Sequence, residues 1–332
     1  MSRAENSAEN RAESLVRNGV KNRAEGCVEN DFNNGDECGE ANRAESPSSK
    51  CELCPVRCGA DRINKLGRCG AADSMRIARY GLHFFEEPVI SGTKGSGTIF
   101  FCGCSLKCVF CQNYELSRNL RGKDITVAEL ADIFAKLEKL GAHNINLVSP
   151  TQYSDKIIQA LNIYRPKIPV VYNTHGYERT EIIEKLFPYV DVFLPDLKFF
   201  SPALSERYTG IKDYFEKSFA AVKIMSEKPL VFGEDGMMKS GTIVRHLVLP
   251  QCVADSKKVL ENFAQIKDKA YVNVMSQYTP FGDIQNFPEL QRPVTAREYE
   301  RVIDYAISLG IEKMYYQKRE STGTQYIPQW DY

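Results

Sequence analysis

From about residue 98 to residue 310 the chain alternates short apolar runs with amphipathic stretches. Thr98 to Phe101, Ile145 to Val148, Val170 to Tyr172, Val190 to Leu194, Thr242 to Leu249 and Tyr271 to Met275 are runs of strand length, rich in β-branched and aromatic residues. Strands that are apolar almost throughout belong to parallel sheets covered on both faces. The stretches between them have helical spacing. Thr126 and Glu129 open one with a capping box, Val127, Leu130, Ile133, Phe134, Leu137 and Leu140 fall on one face, and Gly141 ends it. Further helices are predicted near Asp155 to Tyr164, Thr180 to Phe187, Asp213 to Met225 and Ser256 to Phe263. The last one opens with Thr295 and Glu298 and ends before Gly310. Six strand–helix units in succession predict an α/β fold with a parallel sheet. Eight units close a full barrel, so an open partial barrel and a doubly wound sheet both fit the periodicity.

The flanks read differently. Residues 1–50 repeat Arg-Ala-Glu at Arg3, Arg11, Arg23 and Arg43 and hold few large apolar side chains, which predicts a disordered low-complexity tail. Cys27 and Cys38 lie in it with no assigned role. Residues 51–90 form a Cys-rich metal-binding segment and a lead-in, 91–320 the α/β domain, and 321–332 a C-terminal tail. Lys+Arg and Asp+Glu both count 43, so no global field draws the chain to nucleic acid or to an anionic membrane. No apolar run approaches a membrane span, and the Glu-rich start has neither the apolar region of a signal peptide nor the acid-poor character of a transit peptide. The 11 cysteines are odd in number and cluster at metal-ligand spacing, which predicts a cytoplasmic protein rather than a disulfide framework.

Two cysteine groups carry candidate chemistry. Cys104, Cys108 and Cys111 are spaced C-x3-C-x2-C directly after the first apolar strand, which itself follows the breaker-rich Ser91 to Gly97. They therefore sit on the loop leaving a strand's C-terminal end, where α/β folds keep their chemistry. Three thiolates suit one iron–sulfur cubane and leave one of its irons open to an exchangeable molecule. Half of a zinc site and three reduced core thiols are the alternatives. Cys102 reads as a small buried side chain, with a spare ligand as the alternative. Upstream, Cys51, Cys54, Cys58 and Cys69 supply four ligands in a segment too short for its own core, so a bound metal would fix its fold. Zinc and a second iron–sulfur cluster both fit that spacing. His83, with no Cys or His placed to join it, reads as structural.

Polar residues follow each predicted strand: Ser149 and Thr151, Asn173 and His175, Asp196 and Lys198, Arg245 and His246, Asn273 and Gln277. In a parallel barrel these converge on the mouth that holds the cysteine loop. An amino acid ligand there needs a cation for its carboxylate and acceptors for its amine, for which Arg245 and Asp196 are the candidates. Helix capping and chance ion pairing are the other explanation for such positions.

The C-x3-C-x2-C spacing with Phe110 before its last cysteine resembles the radical S-adenosylmethionine superfamily. From Cys51 to about Tyr316 the chain is similar to its subgroup related to pyruvate formate-lyase activating enzyme. That similarity is carried by Gly95-Ser96-Gly97-Thr98, Cys104 to Asn113, Asn146 to Thr151, Pro195-Asp196-Leu197-Lys198, Arg245 to Pro250 and Asn273 to Tyr278. It implies a partial (β/α)6 barrel of the TIM type. It also implies a [4Fe-4S] cluster on Cys104, Cys108 and Cys111 whose fourth iron is chelated by S-adenosyl-L-methionine, reductive cleavage to a 5'-deoxyadenosyl radical, and a reductase or flavodoxin-type electron donor. Ser149-Pro150-Thr151 stands where the family's Gly-Gly-Glu-Pro segment meets the cofactor's amine. Asp196 and Lys198 match a cofactor-lining motif, and Arg245 matches a carboxylate contact. The eight-cysteine ferredoxin-like insert of the larger glycyl-radical activases is missing. A protein or peptide substrate is favoured over a small metabolite or RNA, and a non-catalytic electron carrier or metal-stabilised scaffold is the rival from another class.

Overall fold

The computed structural model describes residues 50–316. Both predicted tails, with Cys27 and Cys38, lie outside the described residues apart from Lys50. Ten strands form one sheet, in the order β10 (Met314–Tyr316), β9 (Tyr271–Met275), β8 (Met238–Leu247), β6 (Val192–Pro195), β5 (Val170–Thr174), β4 (Ile145–Val148), β2 (Ser96–Phe101), β1 (Met75–His83) and β3 (Lys123–Ile125), with β7 (Val231–Phe232) paired to β8 off this path. Along the path β2-β4-β5-β6-β8-β9-β10 every pairing is parallel, while β7 runs antiparallel to β8 and β1 antiparallel to both β2 and β3. Among the described residues the two ends of the path, β10 and β3, do not pair, which leaves the barrel open along that side.

β2, β4, β5 and β6 are buried at every position, as their apolar runs require. The helix Val127–Lys139 shows how the outer layer is fixed. Thr126 and Glu129 complete the reciprocal capping box, and Leu130, Ile133, Phe134 and Leu137 are buried against the sheet. Leu140 differs from expectation. It falls one residue past the helix, and its side chain is largely exposed.

Three features depart from the sequence reading. The segment after Met75 is no mere lead-in but a strand, antiparallel to β2 and extending the sheet. The fifth parallel strand begins at Met238 rather than Thr242, because β7 pairs with its first half. A helix at Pro202–Thr209 also went unpredicted, although Ser201 caps it, Pro202 starts it and Gly210 ends it at a φ of 70°.

Candidate active site

Cys104, Cys108 and Cys111 occupy the loop leaving β2, at the C-terminal ends of the parallel strands. Phe110 anchors this loop, packing edge-on against Phe199, Tyr208 and Tyr278. The Val109 N–H donates to Tyr208 O at 3.0 Å, and Val109 O accepts from the Asp283 N–H at 2.8 Å. The loop is thus held by an aromatic wedge and two main-chain tethers. Lys107, at a φ of 52°, turns the backbone so that the N–H groups of Leu106 and Lys107 face the Cys104 thiol.

Burial pushes the Cys104 thiol up to about 11 and raises Cys108 as well. Such thiols become ligands only where a metal compensates the thiolate charge. Lys198 is the cation facing both of them. It is ion-paired with Asp196, and although burial works against its charge, Asp196 and Cys108 hold its ammonium above the usual range. The donor set therefore fits a thiolate-ligated cluster: three thiols on one rigid loop, amide N–H groups aimed at one of them, and a cation close by. Cys102 is buried, as expected, and donates to Arg121 O at 3.1 Å.

Beside the loop lies a second polar group. His175 Nε2 is 3.3 Å from Ser105 Oγ and 3.4 Å from Thr151 Oγ1. Burial, then Lys198, lowers the His175 ring to about 4, so it stays neutral at pH 7. Thr151 donates to Glu178 Oε1 at 2.6 Å, and Thr174 bonds the same oxygen. Burial raises the Glu178 carboxyl to about 7, and its Oε2 is buried without a partner. Ser149 turns the chain here at a φ of 56°. Its N–H donates to Asn173 O at 2.9 Å, and its carbonyl accepts from Gln152 Nε2 at 2.8 Å. Gln277 contacts Met275 Sδ at 3.7 Å.

The predicted strand-end residues do not form one cluster. Thr151, His175, Asp196 and Lys198 gather near the cysteine loop. Arg245 and Asn173 belong to a network that reaches the opposite end of the barrel. Arg245 Nε donates to Glu87 Oε1 at 2.7 Å and Nη2 to Glu87 Oε2 at 2.5 Å. Arg245 also pairs with Glu86, and its Nη1 donates to Asn173 Oδ1 at 3.1 Å. Asn146 binds Glu86 at 2.9 Å, and Asn273 binds Glu87 at 2.8 Å. The two glutamates follow β1, whose end at His83 pairs with the start of β2 at Ser96, so they enter from the N-terminal ends of the parallel strands. Burial opposes the charge on Glu87, yet Arg245 keeps its carboxyl below the ordinary range. The structure thus gives Arg245 two carboxylates of this chain as partners. Sequence reasoning missed Glu86 and Glu87; their one signal was two acids beside Pro88 in an otherwise apolar stretch. His246 faces away from this network and bonds Leu197 O through Nδ1.

The upstream cysteines come together. Cys51, Cys54, Cys58 and Cys69 line one pocket with Leu53, Arg68, Ser105, Thr151 and Gln152. Among the described residues, no three His, Cys, Asp or Glu side chains are drawn in to the spacing of a single bound ion. The nine described cysteines are all free of disulfides.

A family model described as the Radical SAM superfamily matches residues 98–238, the span from β2 to the start of β8. The chain belongs to the radical S-adenosylmethionine superfamily, whose members carry a [4Fe-4S] cluster and bind S-adenosylmethionine. Among individual proteins, it is 31% identical over 282 residues to the uncharacterized protein MJ0674 of Methanocaldococcus jannaschii, covering 82% of this chain and 78% of that one. Among solved structures, it is similar to Streptococcus suis SuiB bound to precursor peptide SuiA, at 15% identity and a TM-score of 0.46. That match covers 66% of this chain, which spans 47% of the SuiB chain. A domain of pyruvate-formate lyase-activating enzyme from Bacteroides vulgatus matches at 13% identity and a TM-score of 0.35, over 58% of this chain and 91% of that one. Both structural likenesses are weak. Among the described residues no helix is long and apolar enough to cross a membrane.

Proposed function

We propose that the protein is a radical enzyme of the pyruvate formate-lyase activating type that modifies a protein or peptide. Cys104, Cys108 and Cys111 would hold three irons of the [4Fe-4S] cluster. A bound, reduced cluster would supply the single electron needed for reductive cleavage of S-adenosylmethionine to methionine and a hydrogen-abstracting 5'-deoxyadenosyl radical. The chain's own residues bind, orient and exclude water. Lys198 offsets the thiolate charge. Neutral His175 positions Ser105 and Thr151 beside the loop, and Asp196 is an acceptor for an ammonium group. Ser149, Thr151, Asn173, His175, Asp196, Lys198, Arg245 and Gln277 remain the cofactor-binding candidates. Of these, the four gathered near the loop, Thr151, His175, Asp196 and Lys198, have the strongest support; Arg245 would contact a cofactor carboxylate only by giving up part of its hold on Glu86 and Glu87.

The observation that carries the reading is the C-x3-C-x2-C loop, buried beside Lys198 at the mouth of a parallel barrel. The polypeptide substrate is supported by the edges β3 and β10, unpaired among the described residues, which leave the barrel open to an extended chain. The electron would come from a flavodoxin-type donor or reductase in the cytoplasm. Anaerobic, iron-replete protein given dithionite and S-adenosylmethionine should release 5'-deoxyadenosine. If reduced, cluster-loaded protein releases none, the reading fails and an electron carrier takes its place.

A further inference from the structure

Between Cys51 and Ser74 the chain has no helix or strand, and its buried residues are Arg62, Gly67, Cys69 and Ala71. Ile63 and Leu66 point into solvent rather than into a core. Apolar burial this small does not hold such a segment in one shape. Its four thiols are nevertheless gathered at one pocket. Gly67 sits between two of them: a Cβ there would lie 3.3 Å from Cys69 Sγ and 3.7 Å from Cys58 Sγ. The N–H groups of Arg68 and Ala60 and the Cys51 thiol are directed at Cys58 Sγ.

The far wall of this pocket is the cysteine loop of the barrel. Ser105, next to Cys104, lines it. Cys69 O accepts the Cys104 N–H at 3.0 Å. Gly103 makes that approach possible, because a Cβ at its φ of +89° would stand 2.7 Å from Cys69 O. Arg62 Nη1 donates to Gln152 O at 2.6 Å, and Gln152 Nε2 reaches back to Cys102 O at 3.0 Å and Gly103 O at 3.1 Å. One run of hydrogen bonds thus joins the four-thiol segment to Cys104 and to the two residues before it.

We propose that Cys51, Cys54, Cys58 and Cys69 bind a second metal centre with four thiolate ligands, iron–sulfur or zinc, and that this centre fixes the position of the Cys104 loop through Cys69. The site would take a thiophilic metal, since sulfur is its only donor type. Its positioning role rests on Cys104, Cys108 and Cys111 holding the radical cluster; its existence does not.

Two measurements test this. The chain carrying Cys104→Ala, Cys108→Ala and Cys111→Ala, purified without oxygen, keeps the four upstream thiols and none of the three on the barrel loop. It should hold about four irons with matching sulfide, or about one zinc, and either should vanish when Cys54→Ala and Cys69→Ala are added. Neither metal, in a triple variant with unchanged circular dichroism and elution volume, overturns the site. For the positioning role, Gly103→Ala keeps all seven thiols but pushes Cys69 O away. Its reduced cluster should show a shifted or broadened paramagnetic signal on adding S-adenosylmethionine. The same should hold for Cys58→Ser, a change at an exposed thiol. Signals identical to the unaltered chain in both would overturn that role. Failure of the unaltered chain to cleave S-adenosylmethionine would sink the radical reading and leave the metal analysis standing.

Discussion

Arg245 and Glu87 are 158 residues apart in sequence and meet inside the barrel in a two-point ion pair, at 2.7 and 2.5 Å. The pair ties β8 to the turn after β1. It joins the C-terminal half of the sheet to the segment at the N-terminal ends of its parallel strands. Glu86, Asn173 and Asn273 complete the set, so both carboxylates and the guanidinium have partners.

Removing one partner of a buried ion pair leaves an uncompensated charge, which costs about 3 to 5 kcal/mol. Arg245→Ala strands two buried carboxylates, whereas Glu87→Gln leaves Arg245 paired with Glu86. Denaturant unfolding should therefore show a larger loss for Arg245→Ala than for Glu87→Gln. Equal losses would mean that the two carboxylates do not share the guanidinium.

The cysteine assignment separates ligands from bystanders. Cys104→Ala, Cys108→Ala and Cys111→Ala should each abolish 5'-deoxyadenosine release. Cys252 packs in the same apolar cluster as Cys104 and Cys108, and burial raises its thiol to about 12. Cys252→Ala should keep the iron content and cleavage of the unaltered chain. Iron analysis and product chromatography on the four variants check this.

Glu178 predicts a pH dependence of stability. Its carboxyl lies at about 7 in the folded chain, against 4.5 for the free group. The folded state therefore holds the proton more tightly than the unfolded state. The resulting stabilisation is complete below about pH 4.5 and is lost as pH rises through about 7, a change of about 3 kcal/mol at most. Glu178→Gln should flatten the melting temperature between pH 5 and 8 relative to the unaltered chain. Parallel curves would show that Glu178 is not the titrating group.

Gly176 turns the chain after β5 at a φ of +81°, and a Cβ there would fall 1.9 Å from Asp196 O. No side chain fits without separating the His175 turn from the Asp196 turn. Gly176→Ala should lower the melting temperature by several degrees, in line with a loss of about 1 to 3 kcal/mol. Gly141→Ala, at a similar φ but in open space, should cost less. Thermal melts of the two variants compare close approach with backbone strain alone.

Much of the fold was legible because each signal is local. β2, β4, β5, β6 and β9 announce themselves as β-branched runs, and the capping boxes at Thr126 and Thr295 mark helix starts that the structure keeps. The helix after Ser201 carried equally local signals, in Ser201, Pro202 and Gly210, but its weak apolar stripe hid it. β1 and β7 were not legible, because each is a strand only by virtue of its pairing partner.

The sequence by itself determined the parallel α/β architecture, the thiol trio on the loop after the first parallel strand, and the upstream quartet. Periodicity and residue spacing are properties of a single stretch of chain. Only the tertiary structure decided that Arg245 answers to Glu86 and Glu87, that His175 and Lys198 stand beside the cysteine loop, and that Cys69 touches Cys104. Those relationships join residues far apart in sequence. Burial, charge compensation and close approach set them, and each of these is known only once the sheet has brought its strands together.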